Sequence, residues 1–377
     1  MMSKVTRRDA IRAVSAGMAS LPMMSLAASA QGRRTSRGEI HAYQVGDQKG
    51  LDSLTRVKRP EPVAGPGQVV VKVRAAALNH RDLSILNGRY LGLQPTDRIP
   101  LADGAGDVIA VGEGVTRVKV GDRVTAVPFS SWVDGEFEPS VFGADLGNGR
   151  DGWLAEKVLL PADSLVKLSD AVSYEDAAAM AAVGVTAWSI IHGLGAVKPG
   201  EVVLTLGTGG LSMMAVKVAK MAGARVAITS SSDQKLEAAR ALGADITVNY
   251  RTHPEWGARI VEATGGRGAD IVVETVGATT LNQTLAACAP NARIGFVGSL
   301  GGPAEVAPNL GPLLRKNILI KGLTGGSRRM LERLHRAVES SGVRPVIDKV
   351  FSFEDAPAAF AHLATGEHMG KVVIRFA

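Results

Sequence analysis

The chain has 377 residues, 46% of them hydrophobic and 21% charged, with a formal net charge of +7; these are the proportions of a globular protein long enough for two domains with separate cores. An aromatic content of 4%, with no basic run interleaved with aromatic side chains, excludes a nucleic-acid-binding surface. The single cysteine, Cys288, excludes an internal disulfide and a cysteine-rich zinc lobe.

Taken in order, the chain opens on a targeting segment. Met1 to Arg12 carries Lys4, Arg7, Arg8 and Arg12, Ala13 to Ala30 is small and mildly apolar, and Ala28-Ser29-Ala30 reads as an A-x-A cleavage site. Thr6-Arg7-Arg8-Asp9-Ala10-Ile11 resembles a twin-arginine signal, so export of the folded chain by the twin-arginine machinery to the periplasm is expected, with a cytoplasmic location as the alternative. Loss of residues 1–30 removes four positive charges and Asp9, lowering the net charge from +7 to +4. No run of eighteen apolar residues interrupts the body, so no membrane span is expected after processing.

Residues 31–38 read as a polar lead-in. Glu39 to Val45, Ser53 to Arg59, Val69 to Val73, Val108 to Val111, Arg123 to Val127 and Leu154 to Leu160 then read as short strands of a β-rich domain or partly open barrel. Helical spacing follows at Tyr174 to Ala182 and at Val185 to Gly193.

The next stretch organises the rest. Val202 to Leu206 is a buried strand that runs into Gly207-Thr208-Gly209-Gly210-Leu211, after which Met213 to Met221 has helical spacing. Gly207 permits a tight turn and Gly209 lets backbone approach a pyrophosphate, which the N–H groups and dipole of the opening helix would hold. Ser212 stands where the motif's third glycine would be and is small enough for close packing.

Strands and helices alternate from there. Arg225 to Thr229, Asp245 to Asn249, Ala269 to Thr275, Arg293 to Val297 and Ile318 to Lys321 read as strands, with helices at Asp233 to Leu242 and Glu255 to Ala263 between them. The sheet should be parallel, doubly wound, and open to a ligand at the carboxyl ends of its strands. That rim collects Gly207 to Gly210, Ser230 to Ser232, Val276-Gly277 and Gly298-Ser299. Cys288 is a small packed side chain near a helix end. A helix at Arg329 to Ser340, a strand at Val346 to Val350, a helix at Glu354 to Ala364 and a strand at Lys371 to Arg375 are expected to return to the first domain.

This order of parts resembles the medium-chain dehydrogenase/reductase superfamily over residues 38–377, and within it a zinc-free alcohol dehydrogenase or quinone oxidoreductase. The motifs that carry the resemblance are Gly104-Ala105-Gly106, Val111-Gly112, Val118 to Val124, Thr186-Ala187-Trp188, Gly207 to Leu211 and Gly370-Lys371-Val372-Val373-Ile374. It implies an α/β fold with a GroES-like β-rich catalytic domain at 38–160, a doubly wound parallel-sheet Rossmann domain for NADP at 161–324, and a return to the catalytic domain at 325–377. It also implies a homodimer, a small-molecule substrate, and hydride transfer between a nicotinamide and a carbonyl-type compound, with a quinone or enone favoured. An alcohol dehydrogenase acting on alcohols and aldehydes, or a non-catalytic nicotinamide-binding protein, would carry the same motifs.

Zinc members of the superfamily place a cysteine in the first helix of the catalytic domain and a Gly-His-Glu before the glycine pair. Here Asn79 stands for the cysteine, and Leu101-Ala102-Asp103-Gly104 covers the His-Glu, so no zinc is expected.

The acid that would bind an adenosine ribose diol is replaced by Ser230, with Ser231, Ser232 and Lys235 adding donors. In quinone oxidoreductases such a lysine and the tyrosine of an Asn-Tyr pair grip a 2'-phosphate. Asn249-Tyr250 matches the pair, so NADP(H) is preferred over NAD(H). Asp233, which could oppose the phosphate, otherwise reads as an N-cap. Arg328, or its neighbour Arg329, resembles the arginine that pairs with the pyrophosphate, and Thr186 the threonine beside the nicotinamide. The remaining cofactor contacts expected are Gly207, Gly209, Gly210, Leu211, Val276 and Gly298.

Without a metal, hydrogen bonds must stabilise the developing oxyanion. Asn79 is the expected oxygen-positioning donor, with His80 or Arg81 supplying a proton or charge, while Asp82 fixes the start of the helix. Tyr90, Phe129 and Trp132 are candidates for the cleft wall or for core.

Overall fold

The computed structural model describes residues 38–298, 300–304 and 307–377. The expected export signal with its Arg7-Arg8 pair, and Ser299, lie outside the described residues.

Strand Gln68–Ala77 is the hub of the first sheet. It pairs antiparallel with Asp103–Val111, Lys157–Pro161 and the carboxyl-terminal strand Lys371–Arg375. Two of these strands run longer than their apolar patterns predict, because the added residues are small rather than β-branched. Ala75 to Ala77 and Gly104 to Gly106 continue the ladder, and a Cβ on Gly106 would stand 2.0 Å from the Lys72 carbonyl oxygen. A Cβ on Gly104 would overlap the buried Trp153 ring at 2.2 Å. Leu165–Lys167, within the segment expected to open the Rossmann domain, instead pairs with Arg123–Ala126 in this first sheet. Ile347–Ser352 lies beside Lys371–Arg375 at the sheet's other edge.

The second sheet is wholly parallel. Its order is Ile246–Asn249, Arg225–Ser230, Val202–Leu206, Ala269–Glu274, Cys288–Phe296, Leu319–Gly322. The chain builds outward from Val202–Leu206 to one edge and then crosses to Ala269–Glu274. The switch point lies between those two central strands, where an open α/β sheet forms its ligand crevice.

The two helices expected over 174–193 are one. An α-helix Tyr174–Trp188 continues into a π-helical turn Ser189–Leu194. Gly184 does not end it; a Cβ there would meet Leu334 Cδ2 at 2.6 Å, so the glycine serves the close approach of helix Arg328–Ser341. Residues 174–194 are long and apolar enough to cross a bilayer, but 72% of their most apolar window is buried within the protein. Their apolar surface is spent on the core that joins both sheets.

Candidate active site

The glycine turn follows the all-buried strand Val202–Leu206. Gly207 sits at φ +74°, the left-handed region that an L side chain rarely adopts. Gly209 is the N-cap of helix Gly210–Met221, whose first N–H groups open toward the crevice. The Ser212 hydroxyl donates to the Leu206 carbonyl at 2.6 Å, and Thr275 Oγ1 donates to the same oxygen at 3.0 Å. Serine at the third glycine's position therefore locks the strand to the turn as well as fitting there.

The turn faces a cleft of about 630 Å³. One end is lined by Gly207, Gly209, Gly210, Leu211, Ser230 and Ser231, with Lys235 and Tyr250 beyond. Thr186, Val276 and Gly298 line the middle, and Asn79, His80 and Arg81 the opposite wall. Every expected site residue except Arg328 thus meets in one cavity.

Arg328 is the correction. Its guanidinium donates to the Asp163 carbonyl at 2.9 Å and lies 3.4 Å from Glu332, away from the cleft. Arg329 pairs instead with Asp134 at 3.3 Å, and neither arginine lines the cavity. Ser327 caps their helix, its side chain accepting from the Met330 N–H.

The Thr186 hydroxyl donates to the Ala182 carbonyl one turn back at 2.7 Å while still lining the cleft. Asp233 is the first helical residue, not the N-cap; Ser232 caps, and Asp233 accepts from Asn249 Nδ2 at 2.8 Å. Its carboxylate is absent from the cleft lining.

At helix His80–Leu86, Asp82 accepts from the Asn79 backbone N–H at 2.7 Å and fixes the first turn, as expected. Burial pushes the Asp82 carboxyl up to about 6, against the opposing Arg81 charge. Asn79 Nδ2 donates to Asp103 Oδ2 at 2.9 Å, and its Oδ1 accepts from Lys371 Nζ at 2.6 Å. Lys371 also donates to Asp103 Oδ2 at 3.0 Å, while Asp103 Oδ1 accepts from the Ala182 N–H at 3.0 Å. An ammonium can only donate and a carboxylate can only accept, so the Asn79 amide is oriented without ambiguity.

Arg81 is clamped. Nη1 donates to Asp145 at 2.7 and 2.9 Å, and Nη2 donates to the Leu146 carbonyl at 2.6 Å. Burial alone would ease its proton off, but the Asp145 carboxylate, with Tyr90 and Asp82 beside it, outweighs burial and holds the guanidinium above its ordinary value. Arg81 therefore cannot act as a proton donor. It supplies charge, and donates to the Tyr90 phenol oxygen at 3.3 Å. Tyr90 lines the cleft, and burial raises its phenol above the ordinary value. His80 also faces the cleft, its imidazole lowered by burial.

Phe129 lines the cleft as well, whereas Trp132 packs behind it in a small aromatic core with Val141. Lys371 and Asp103 are the site residues that the motifs missed. Lys371 was visible only as part of a terminal strand motif, and Asp103 only as a departure from the zinc pattern.

Comparison with known proteins decides the family. Residues 65–170 match the alcohol dehydrogenase GroES-like domain, and residues 210–366 match the zinc-binding dehydrogenase family. A zinc-type alcohol dehydrogenase-like protein of Schizosaccharomyces pombe is 39% identical over 341 residues, covering 88% of this chain and 98% of that protein. The chain belongs to the medium-chain dehydrogenase/reductase superfamily.

Other members of the superfamily agree. A quinone oxidoreductase of Pseudomonas aeruginosa is 30% identical over 323 residues, covering 82% of this chain and 91% of that protein. The crystal structure of an NAD-dependent alcohol dehydrogenase is 35% identical with a TM-score of 0.82, covering 89% of this chain and 100% of that one. This medium-chain dehydrogenase/reductase is an NAD(P)-dependent oxidoreductase, which sets aside the non-catalytic alternative.

Zinc does not fit the donor set at the catalytic helix. Asn79 offers an amide whose Nδ2 donates to Asp103 Oδ2, and that oxygen and Asn79 Oδ1 both accept from the Lys371 ammonium. A nicotinamide dinucleotide does fit. A Cβ on Gly207 or on Gly209 would meet no protein atom within 4 Å, so the turn at the helix N-terminus faces open space in the cleft with room for a pyrophosphate.

Proposed function

We propose that the chain uses NADPH to reduce quinones or α,β-unsaturated carbonyl compounds, without zinc. The observation that carries this reading is the Asn79 amide held between Lys371 and Asp103, which leaves polarisation of the substrate oxygen to hydrogen-bond donors. Such donors activate an electrophile less than a metal does, which favours acceptors that are already electron-poor.

When bound, the nicotinamide supplies the hydride. Gly207 to Gly210 and the first N–H groups of helix Gly210–Met221 would hold the pyrophosphate, with Thr186, Val276 and Gly298 toward the nicotinamide. Asn79 positions the substrate oxygen through its amide. Hydride arrival at carbon leaves an enolate or hydroquinone anion that must take a proton. Tyr90, which keeps its proton at neutral pH, donates it, and Arg81 beside the phenol oxygen stabilises the phenolate that remains. His80, at the same wall, returns the proton from solvent.

Ser230, Ser231, Lys235 and Tyr250 on the cleft wall support the preference for NADP(H), as does the engagement of Asp233 with Asn249. A homodimer through edge strand Leu319–Gly322 is supported by the apolar strip around it: Leu314 is 86% exposed, Leu310 54% and Leu319 51%. Export of the folded protein to the periplasm rests on residues 1–30 alone.

The test follows oxidation of NADPH and NADH by the purified full chain with a quinone, an enone and an aldehyde in parallel, chelator present. Chelator-insensitive turnover of the quinone or enone with NADPH is the expected result. Aldehyde-only turnover would make it an alcohol dehydrogenase, and loss of activity with chelator would overturn the metal-free reading.

A further inference from the structure

Between helix Ala356–Thr365 and strand Lys371–Arg375 the chain runs along the cleft, where Gly366, His368 and Gly370 share the lining with Ser230, Lys235 and Tyr250. Two sets of bonds fix its course. The Gly370 N–H donates to the Thr208 carbonyl at 2.9 Å, beside the bridge from Gly370 to Gly209. Lys235 Nζ, from helix Asp233–Ala241, donates to the Gly366 carbonyl at 3.3 Å and to the His368 carbonyl at 3.2 Å. His368 is thereby held between the glycine turn and the lysine expected to meet a coenzyme phosphate.

Its ring is unspent. Nδ1 is sealed and has no hydrogen-bond partner, whereas Nε2 is not sealed and has none among the described residues. The carboxylate that acts on the imidazole is Asp348, from strand Ile347–Ser352, and it is already engaged. It accepts from the Met369 N–H at 2.9 Å and lies 2.7 Å from His362 Nε2. Against it stand the Lys235 and Lys371 ammonium groups and His362. Burial first, and these cations with it, lower the imidazole below its ordinary value, so the ring is neutral at pH 7.

The Lys235 charge is not balanced either. Its Nζ donates to two backbone carbonyls and forms no ion pair among the described residues. A neutral imidazole carries its proton on one nitrogen, and a proton on Nε2 leaves only a lone pair at the sealed Nδ1. The accessible nitrogen is then a donor beside an uncompensated cation, and the partner that both lack is an anion with several acceptor oxygens.

On the reading that the cleft takes NADPH, we propose that His368 is a coenzyme-binding residue whose Nε2–H donates to a phosphate oxygen of the dinucleotide beside Lys235. The arriving negative charge strengthens the hold of the ring on a proton. By linkage, coenzyme affinity falls as pH rises through the interval between the free and the bound titrations of His368.

The test uses the full chain with its seven histidines labelled at Cε1. The His368 signal is titrated with pH alone, with NADPH and with NADH, and coenzyme affinity is measured by fluorescence in the wild type, His368→Ala and His368→Gln. NADPH is expected to move the His368 titration upward. His368→Ala should weaken NADPH about tenfold or more, as loss of a donor to a charged group does. His368→Gln, whose amide can replace the donor but cannot titrate, should recover most of that affinity while losing its pH dependence. An upward shift with NADPH alone would name the 2'-phosphate as the acceptor, and a shift with both coenzymes the pyrophosphate. Coenzyme that binds without moving the His368 titration, or that binds His368→Ala as tightly as the wild type, would overturn the assignment and leave the coenzyme reading standing. Failure of the wild type to bind either coenzyme would overturn both.

Discussion

Lys371 Nζ donates to Asn79 Oδ1 at 2.6 Å across 292 positions of sequence. Gly370 bridges to Gly209 and its N–H donates to the Thr208 carbonyl at 2.9 Å, so the same short segment holds both the glycine turn and the catalytic helix. The two halves of the site are thereby set relative to each other by the last strand of the chain.

Removing that ammonium should cost stability. Lys371→Met leaves the fully buried Asp103 carboxylate without its ion pair, a loss of about 3–5 kcal/mol. Adding Asp103→Asn should recover most of it, because the charge is then gone as well. Urea denaturation of the wild type, the single and the double variants reads this directly. Equal destabilisation of the single and double variants would show that the two groups are not coupled.

Asn79→Ala should lower turnover on the order of 10²-fold, as loss of an oxyanion donor does, with little change in cofactor affinity. Tyr90→Phe should also lower kcat and should move the pH profile, because the proton would then come from His80 or from water. Steady-state kinetics beside NADPH titration by fluorescence separates the two effects. Unchanged turnover in Asn79→Ala would remove it from the mechanism.

Ser230→Asp places a carboxylate on the nucleotide end of the cleft. Repulsion of a 2'-phosphate and a new acceptor for a ribose diol should together reverse the coenzyme preference toward NADH. The ratio of kcat/KM for the two coenzymes is the measurement, and a ratio that does not move would place the phosphate elsewhere.

Two buried groups should shape stability against pH in opposite senses. His335 titrates near 4 when folded but near 6.5 when unfolded, so the unfolded chain binds more protons between those values and stability falls on acidification. Asp82 titrates near 6 when folded but near 3.8 when unfolded, so stability falls as pH rises through that interval. Each contribution is on the order of 3 kcal/mol. Relative to the wild type, Asp82→Asn should steepen the acid loss and His335→Gln should relieve it in urea melts between pH 4 and 6.5. Parallel profiles for all three proteins would contradict both assignments.

What was legible in the sequence was local. A strand-turn-helix with Gly207, Gly209 and a small Ser212 is encoded within a dozen residues, as are the alternation of strands and helices and the parallel sheet they imply, because periodicity and backbone freedom are properties of neighbouring residues. The end of a strand built from Ala75 to Ala77 was less visible, since small side chains carry little pattern. Tertiary structure alone decided what distant side chains do. Arg328 resembled a pyrophosphate ligand but is spent on Asp163 and Glu332. Arg81 became a clamped charge because Asp145, 64 positions on, holds it. Lys371 joined the site because a buried ammonium must find an acceptor, and folding brought Asn79 and Asp103 to it.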